Sequence, residues 1–305
     1  MKLTNQIVIE KAKEIGFDLV GFTNADMLNN ETEKLKIWLE RGFNASMDYM
    51  NRNVEKRCDA KNILSNAKSV ISLAVNYFTD YRHSNSPRLG KVSRYAWGKD
   101  YHLVMWEMLE QLEETLEEID PEFEAISYVD TGPVMDKAWA VRSGIGWMGK
   151  HTNVITREMG SWIFLATLIT NARFECNEPI ADFCGSCRAC LDACPTGAIV
   201  DEYIVDSNKC ISFLTIENKE KIPGEFKGKF DNWIFGCDIC QDVCPWNEKF
   251  SALTRHAEFN PAGNMEIPVQ EIFDMEPQTF KSRFEISPIK RAKLGGLKRN
   301  AEFLS

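Results

Sequence analysis

Apolar positions along the first 170 residues alternate between helical and extended spacing. Ile7, Ile9, Ala12 and Ile15 fall near the helical period and predict a helix over residues 3–16. FDLVGF (17–22) follows as a short strand, residues 31–41 as a second helix, and KSVISLAVNYF (68–78) as a buried strand. The clearest periodicity runs from Tyr101 to Glu118. There Leu103, Trp106, Leu109, Leu112 and Leu116 recur at spacings of three and four, and Pro121 stops the helix. EAISYVD (124–130) reads as a strand ending at Asp130, and SWIFLATLIT (161–170) as another. Strands alternating with helices predict an α/β domain over residues 1–172.

The pattern changes after Cys176. Short elements, clustered cysteines and two Cys-Pro stops predict a small ferredoxin-like unit over residues 173–250. Residues 251–305 read as a polar, basic extension with short helices. The expected fold is therefore an α/β (α+β) domain, a bacterial-ferredoxin-like domain and a short helical basic tail.

The opening MKLTNQIVIEKAKEIGFD is polar and amphipathic, with neither a signal-peptide nor a twin-arginine pattern. The longest apolar run, WIFLATLIT, is too short to span a bilayer. A soluble cytoplasmic monomer with no membrane partner is expected. In that compartment ten cysteines point to metal or redox work rather than disulfides. Eight lie between 184 and 244; Cys58 and Cys176 read as reduced packing residues.

Cys184, Cys187, Cys190 and Cys194 with Pro195 form the run C-x2-C-x2-C-x3-C-P of bacterial ferredoxins. A tight turn sets three thiolates around one cubane, and the fourth starts a helix that carries it toward another cluster. Cys237, Cys240 and Cys244 form a second run one ligand short, and Cys210 can complete it. The crossed arrangement assigns Cys184, Cys187, Cys190 and Cys244 to one [4Fe-4S] cluster, and Cys194, Cys210, Cys237 and Cys240 to a second. Two structural zinc sites are the alternative, although zinc does not call for the triple spacing or the trailing proline.

Net charge is −9, which alone argues against nucleic acid. The charge is uneven: residues 281–305 hold seven Lys or Arg against two Glu, a net of +5, leaving −14 on the rest. Such a tail suits phosphates or a merely solvated surface. GIGWMGKH (144–151) fits neither nucleotide motif. The preceding WAVRS reads as helix rather than strand, and His151 stands where a P-loop needs Ser or Thr. Asp100-Tyr101-His102 starts the D-x-H-x-x-G pattern of some corrinoid proteins, but Met105 breaks it, and His102 reads as a structural residue in the first turn of the long helix. Asp130, at a strand end before Gly132 and Pro133, is either a rigidly held proton donor or an ordinary turn aspartate.

Taken with EKRCDAKNIL (55–64), SRYAWGKDYH (93–102), DTGPVMDKAWAVRSGIGWMGKHTNVIT (130–156), CISFLTIE (210–217) and PIKRAKLGGLKRNA (288–301), the chain resembles the epoxyqueuosine reductases. The resemblance implies a cobalamin-binding first domain and two [4Fe-4S] clusters. It implies reduction of epoxyqueuosine to queuosine at the wobble position of a tRNA anticodon, with flavodoxin or ferredoxin as electron donor. Asp130 is then the proton donor, and Arg57, Ser93, Asp130, His151, Thr152, Asn153, Val154 and Ser212 are cobalamin contacts. No histidine would ligate cobalt. A base acted on within the anticodon must be splayed from its stack. Lys219, Lys221, Lys281, Lys290, Arg291, Lys293, Lys298 and Arg299 are candidates for its phosphates, giving binding that weakens with salt. Many relatives continue into a helical-repeat domain beyond the stretch matching Arg299, and no contacts of that kind are expected here. A reductive-dehalogenase-like enzyme acting on small organohalides, a two-cluster electron carrier and a zinc-stabilised RNA-binding protein are the rival readings.

Overall fold

The computed structural model describes residues 2–84 and 86–305. The first part runs α1 (Asn5–Ile15), β1 (Leu19–Asn24), α2 (Asn29–Glu40), α3 (Val54–Cys58), β2 (Ser69–Asn76), β3 (Leu89–Val92), α4 (Tyr101–Ile119), β4 (Ala125–Tyr128), α5 (Asp136–Arg142), β5 (Trp147–Met148), β6 (Val154–Ile155) and β7 (Ile163–Thr170). Thr4 caps α1 by accepting the Ile7 N–H, and Gly16 ends it at a positive φ that costs glycine little.

Four strands make the main sheet in the order β1-β2-β7-β4. Every pairing in it is antiparallel, with Leu19 opposite Ala74 and Ser69 opposite Thr170. Of the expected α/β (α+β) fold, the α+β form is the one observed. Alternation along the chain leaves strand direction open, and the path through α2 and α3 brings β2 back beside the end at which the chain leaves β1. β2 is buried along its whole length. Its side chains alternate as a strand requires: Ile71, Leu73 and Val75 join α1 and α4, whereas Val70 and Ala74 meet Trp139 and Ala140 of α5.

The stripe that α4 buries is Tyr101, Val104, Met105, Met108, Leu109, Leu112 and Leu116. Leu109, Leu112 and Leu116 match expectation. Trp106 is 47% exposed and packs beside His102 instead.

The remainder runs α6 (Ala189–Ala193), β8 (Ile199–Asp201), β9 (Ile204–Val205), α7 (Ile211–Ile216), β10 (Trp233–Phe235), α8 (Ile239–Asp242), α9 (Pro245–Phe250), β11 (Glu266–Pro268), α10 (Val269–Asp274), α11 (Pro277–Arg283) and α12 (Lys293–Leu304). A three-stranded sheet, β10-β3-β11, joins one strand each from residues 1–172, 173–250 and 251–305. Gly90 of β3 leaves room for Ile234, which would stand 2.8 Å from an added Cβ. The segment read as a polar extension thus buries Ile267, Ile272, Phe284, Ile289 and Leu297 against Val92, Trp97 and Phe235. Among the described residues no helix is long and apolar enough to cross a membrane.

Asn300 of α12 is buried, and its side-chain amide donates to the Thr215 and Ile234 carbonyls, both at 2.8 Å. Asn300→Ala leaves two buried acceptors without donors, at about 1–3 kcal/mol each. The guanidinium unfolding midpoint is expected to fall with its slope unchanged. An unmoved midpoint would show that other donors take over.

Candidate redox centre and proton-donor site

The cysteine segment wraps around a cavity. Cys184, Cys187, Cys190 and Cys244 line one cavity of about 160 Å³, together with His151 and Trp246. Cys244 precedes Pro245 at the start of α9, where proline's missing N–H costs nothing. Cys194 was expected to start a helix; it caps the end of α6 instead. It still reaches the other set: Cys240 lies within electrostatic range of Cys210 and Cys194, and Cys237 within range of Cys240 and Cys210. Cys240 is also within range of Cys190, so the two groups adjoin; the cavity lining groups Cys244 with Cys184, Cys187 and Cys190.

Burial raises the thiols of Cys184, Cys210, Cys237, Cys240 and Cys244, and pushes Cys190 up to about 11. Thiolates are unfavourable in such surroundings without a large local positive charge, which metal ions supply. Among the described residues no three His, Cys, Asp or Glu side chains converge as on a single ion. Four thiols ringing an open volume suit a cubane better than zinc. Cys187 is exposed, so this set is the outer one. The other is inner: Tyr95 packs on Phe235, two residues before Cys237, and on Tyr101.

Tyr101 leads to Asp130, the candidate proton donor. Asp130 lies beyond the end of β4 at φ +46, an uncommon conformation for a residue with a side chain. The Tyr101 hydroxyl donates to one carboxylate oxygen and His102 Nε2–H to the other at 2.9 Å. His102 Nδ1–H donates to Asp100 at 2.8 Å, and Lys290 Nζ reaches the second Asp100 oxygen at 2.8 Å. Asp100 is buried and also caps α4 through the His102 N–H. The Asp130 side chain is 55% exposed, open to an incoming molecule. Burial opposes charge on His102, but the hydrogen bonds to Asp100 and Asp130 outweigh it and raise the imidazole to about 9. Burial likewise opposes ionisation of Asp100, but His102 and Lys290 bring it down to about 2.

His102, set aside by its failed motif, is thus a positioning residue for Asp130. The available signal was the helix start itself: an N-cap aspartate two residues before a histidine. The strand expected to end at Asp130 ends at Tyr128, which leaves Asp130 in the loop that follows.

Arg57 donates to the Gly132 carbonyl at 3.5 Å and the Tyr49 carbonyl at 3.1 Å, while its Nε is buried without a partner. Lys137 of α5 donates to the Thr152 carbonyl at 3.0 Å and to Asn153 Oδ1 at 2.9 Å. Val154 is buried in β6, packed with Ala140. Ser93 Oγ donates to buried Asp238 at 2.5 Å, between two inner cysteines. Ser212 hydrogen-bonds the Cys210 thiol. His151 lines the outer cavity, where burial and then Lys137 hold its imidazole neutral down to about 4.

Of the basic candidates, Lys219, Lys221, Lys281 and Lys293 are exposed, and Lys298 is half-buried. Three others are committed within the protein. Lys290 pairs with Asp100, and Arg291 is bidentate to Glu217 at 2.8 and 3.0 Å. Arg299 donates to the carbonyls of Leu214, Asn218 and Glu220, holding the loop that carries Lys219 and Lys221.

The raised His102 contributes stability that is complete below its ordinary value near 6.5 and is lost as pH rises through about 9. Asp100→Asn is expected to return the imidazole titration, followed by NMR, toward 6.5. A titration left near 9 would assign the shift to Asp130 alone.

A family model described as 4Fe-4S double cluster binding domain matches residues 183–247, and one described as epoxyqueuosine reductase QueG matches residues 57–131. An epoxyqueuosine reductase of Cellulophaga algicola is 44% identical over 301 residues, covering 98% of this chain and 97% of the relative. One from Leadbetterella byssophila is 46% identical over 293 residues, covering 96% and 95%. A crystal structure of epoxyqueuosine reductase with an epoxyqueuosine-modified tRNA stem loop superposes with a TM-score of 0.92 at 36% identity, covering 98% of this chain and 80% of that one. The Bacillus subtilis enzyme, solved with its catalytic aspartate loop swung out of the active site, gives 0.91 at 34% identity over the same shares. With relatives at this identity over nearly its whole length, the chain belongs to the epoxyqueuosine reductase family.

Proposed function

We propose that this chain reduces epoxyqueuosine to queuosine at the wobble position of tRNA anticodons, with two [4Fe-4S] clusters and a bound cobalamin. The observation that carries the reading is the shared wall of Tyr95, which joins the Asp130 proton donor to the inner cysteine set. When bound, the clusters and cobalamin supply two electrons, one at a time, for loss of the epoxide oxygen as water. An external flavodoxin or ferredoxin is their source. Net, the epoxide takes two electrons and two protons to give an alkene and water.

The protein's part is proton delivery and positioning. At neutral pH His102 holds a proton on Nε2 against the Asp130 carboxylate. That proton passes through Asp130 to the departing oxygen, and solvent supplies the second. Asp100, held by Lys290, keeps the imidazole oriented and charged. Tyr101 fixes the other carboxylate oxygen.

The residues present fit a large polar ligand such as a corrinoid. Arg57 Nε is an unspent buried donor beside the loop before α5, and Thr152 is held at φ +67 with its carbonyl bonded by Lys137 of that helix. An unspent donor suits the amide-bearing rim of the macrocycle. Arg57, Asp130, Thr152, Asn153 and Val154 would hold it. Ser93 and Ser212 stand toward the inner cysteines, their hydroxyls already engaged. The tRNA backbone would be met by Lys219, Lys221, Lys281, Lys293 and Lys298.

The test is anaerobic turnover of epoxyqueuosine-containing tRNA, read by mass spectrometry of its nucleosides. Asp130→Asn is expected to lower turnover about 10²–10⁴-fold with iron and cobalamin content unchanged; full activity would remove Asp130 from the mechanism. In the wild-type protein turnover falls as pH rises through about 9, where His102 loses its proton. His102→Gln should abolish that limb, and a limb that persists would assign it elsewhere.

A further inference from the structure

The GIGWMGKH stretch matched no nucleotide motif, and the proton-donor site does not use it. In the structure β5 and β6 pair as a short hairpin whose tip carries Lys150 and His151. The turn is tight: a Cβ on Gly146 would stand 2.2 Å from the Ile155 carbonyl oxygen, and one on Gly149 would stand 2.9 Å from His151 Cε1. This tip presses against the outer cysteine set. The buried Lys150 ammonium donates to the Gly185 and Cys187 carbonyls at 2.6 and 3.1 Å, and pairs with Glu202 at 2.7 Å. The Lys150 backbone N–H reaches the Cys184 thiol. The buried Trp147 indole N–H has no oxygen or nitrogen partner and lies against the same sulfur.

His151 completes the set. Its side chain is 4% exposed and lines the cavity ringed by Cys184, Cys187, Cys190 and Cys244. Nδ1 accepts the Asn153 backbone N–H at 3.1 Å, so the ring proton of the neutral imidazole sits on Nε2. Nε2 is buried and has no partner in the protein. A buried donor left unpaired costs about 1–3 kcal/mol and calls for an explanation. The acceptors within this cavity are sulfurs.

We propose that His151 donates an N–H···S hydrogen bond from Nε2 to the outer iron–sulfur cluster and thereby raises its reduction potential. The inference rests on the two-cluster reading above. An N–H dipole stabilises the extra negative charge of the reduced cluster, and hydrogen bonds to the sulfurs are among the determinants of cluster potential. The exposed Cys187 makes this the cluster that meets an external one-electron donor, and the bond makes it the readier acceptor. His151 is thus a tuning residue of the entry cluster rather than a contact of the corrinoid.

The test is a redox titration followed by electron paramagnetic resonance on anaerobically reconstituted protein, with iron counted. In His151→Phe one of two midpoints is expected to fall by about 59 mV, a tenfold change for one electron, while the other stays. His151→Gln, which restores an N–H donor, should recover most of the shift. The reduced wild-type outer cluster should also show a nitrogen-15 coupling in protein labelled at histidine alone, which the Lys150 and Trp147 N–H groups at Cys184 cannot give. That coupling decides the matter even if the Phe variant fails to assemble. About eight irons with unmoved midpoints and no histidine nitrogen coupling would overturn the proposal. So would unmoved midpoints with lost cobalamin retention, which would place the imidazole at the corrin. Fewer irons in the wild type would instead overturn the two-cluster reading beneath it.

Discussion

Eight clustered thiols, most of them at least partly buried, are the constraint around which the chain is arranged. A thiolate in a low-dielectric interior is costly, and only a positive charge at its centre offsets that cost. Cys244 returns to line the same cavity as Cys184, Cys187 and Cys190, and Cys240 lies within electrostatic range of Cys210, Cys194 and Cys190. The two cysteine runs are thus packed together, with α6 against α8.

The same wrapping builds the proton side. Lys290 belongs to the basic C-terminal segment, Asp100 and His102 to the start of α4, and Asp130 to the loop after β4. The C-terminal segment is thus part of the apparatus that sets the protonation of His102, besides adding β11 to the sheet with β3 and β10. Arg291 and Arg299 hold Glu217 and the loop at 218–220, beside the helix that begins at Cys210. Basic residues that look like a phosphate-binding strip divide into those that build the fold and those left to meet a partner.

A buried polar group in this protein nearly always has a nearby reason. Asn300 satisfies two carbonyls, and Ser93 and the Arg94 N–H satisfy Asp238 between two cluster ligands. The few orphans are informative for that reason. Arg57 Nε and His151 Nε2 are two of them.

The cysteine spacing alone carried the two-cluster assignment, because ligand number and turn geometry are local and closed at eight. The helices and strands of the first 170 residues were legible for a similar reason: burial on one face leaves a short-range period, as Leu109, Leu112 and Leu116 show. Trp106 was misread because an isolated aromatic fits that period without lying on the buried face. Strand direction in the main sheet was decided by the path of the chain between strands, which no local pattern records. The roles of His102 and His151 were decided in the same way. A histidine's chemistry depends on what its two nitrogens touch, and Asp130, Asp100 and the outer cavity reach them only through the tertiary fold.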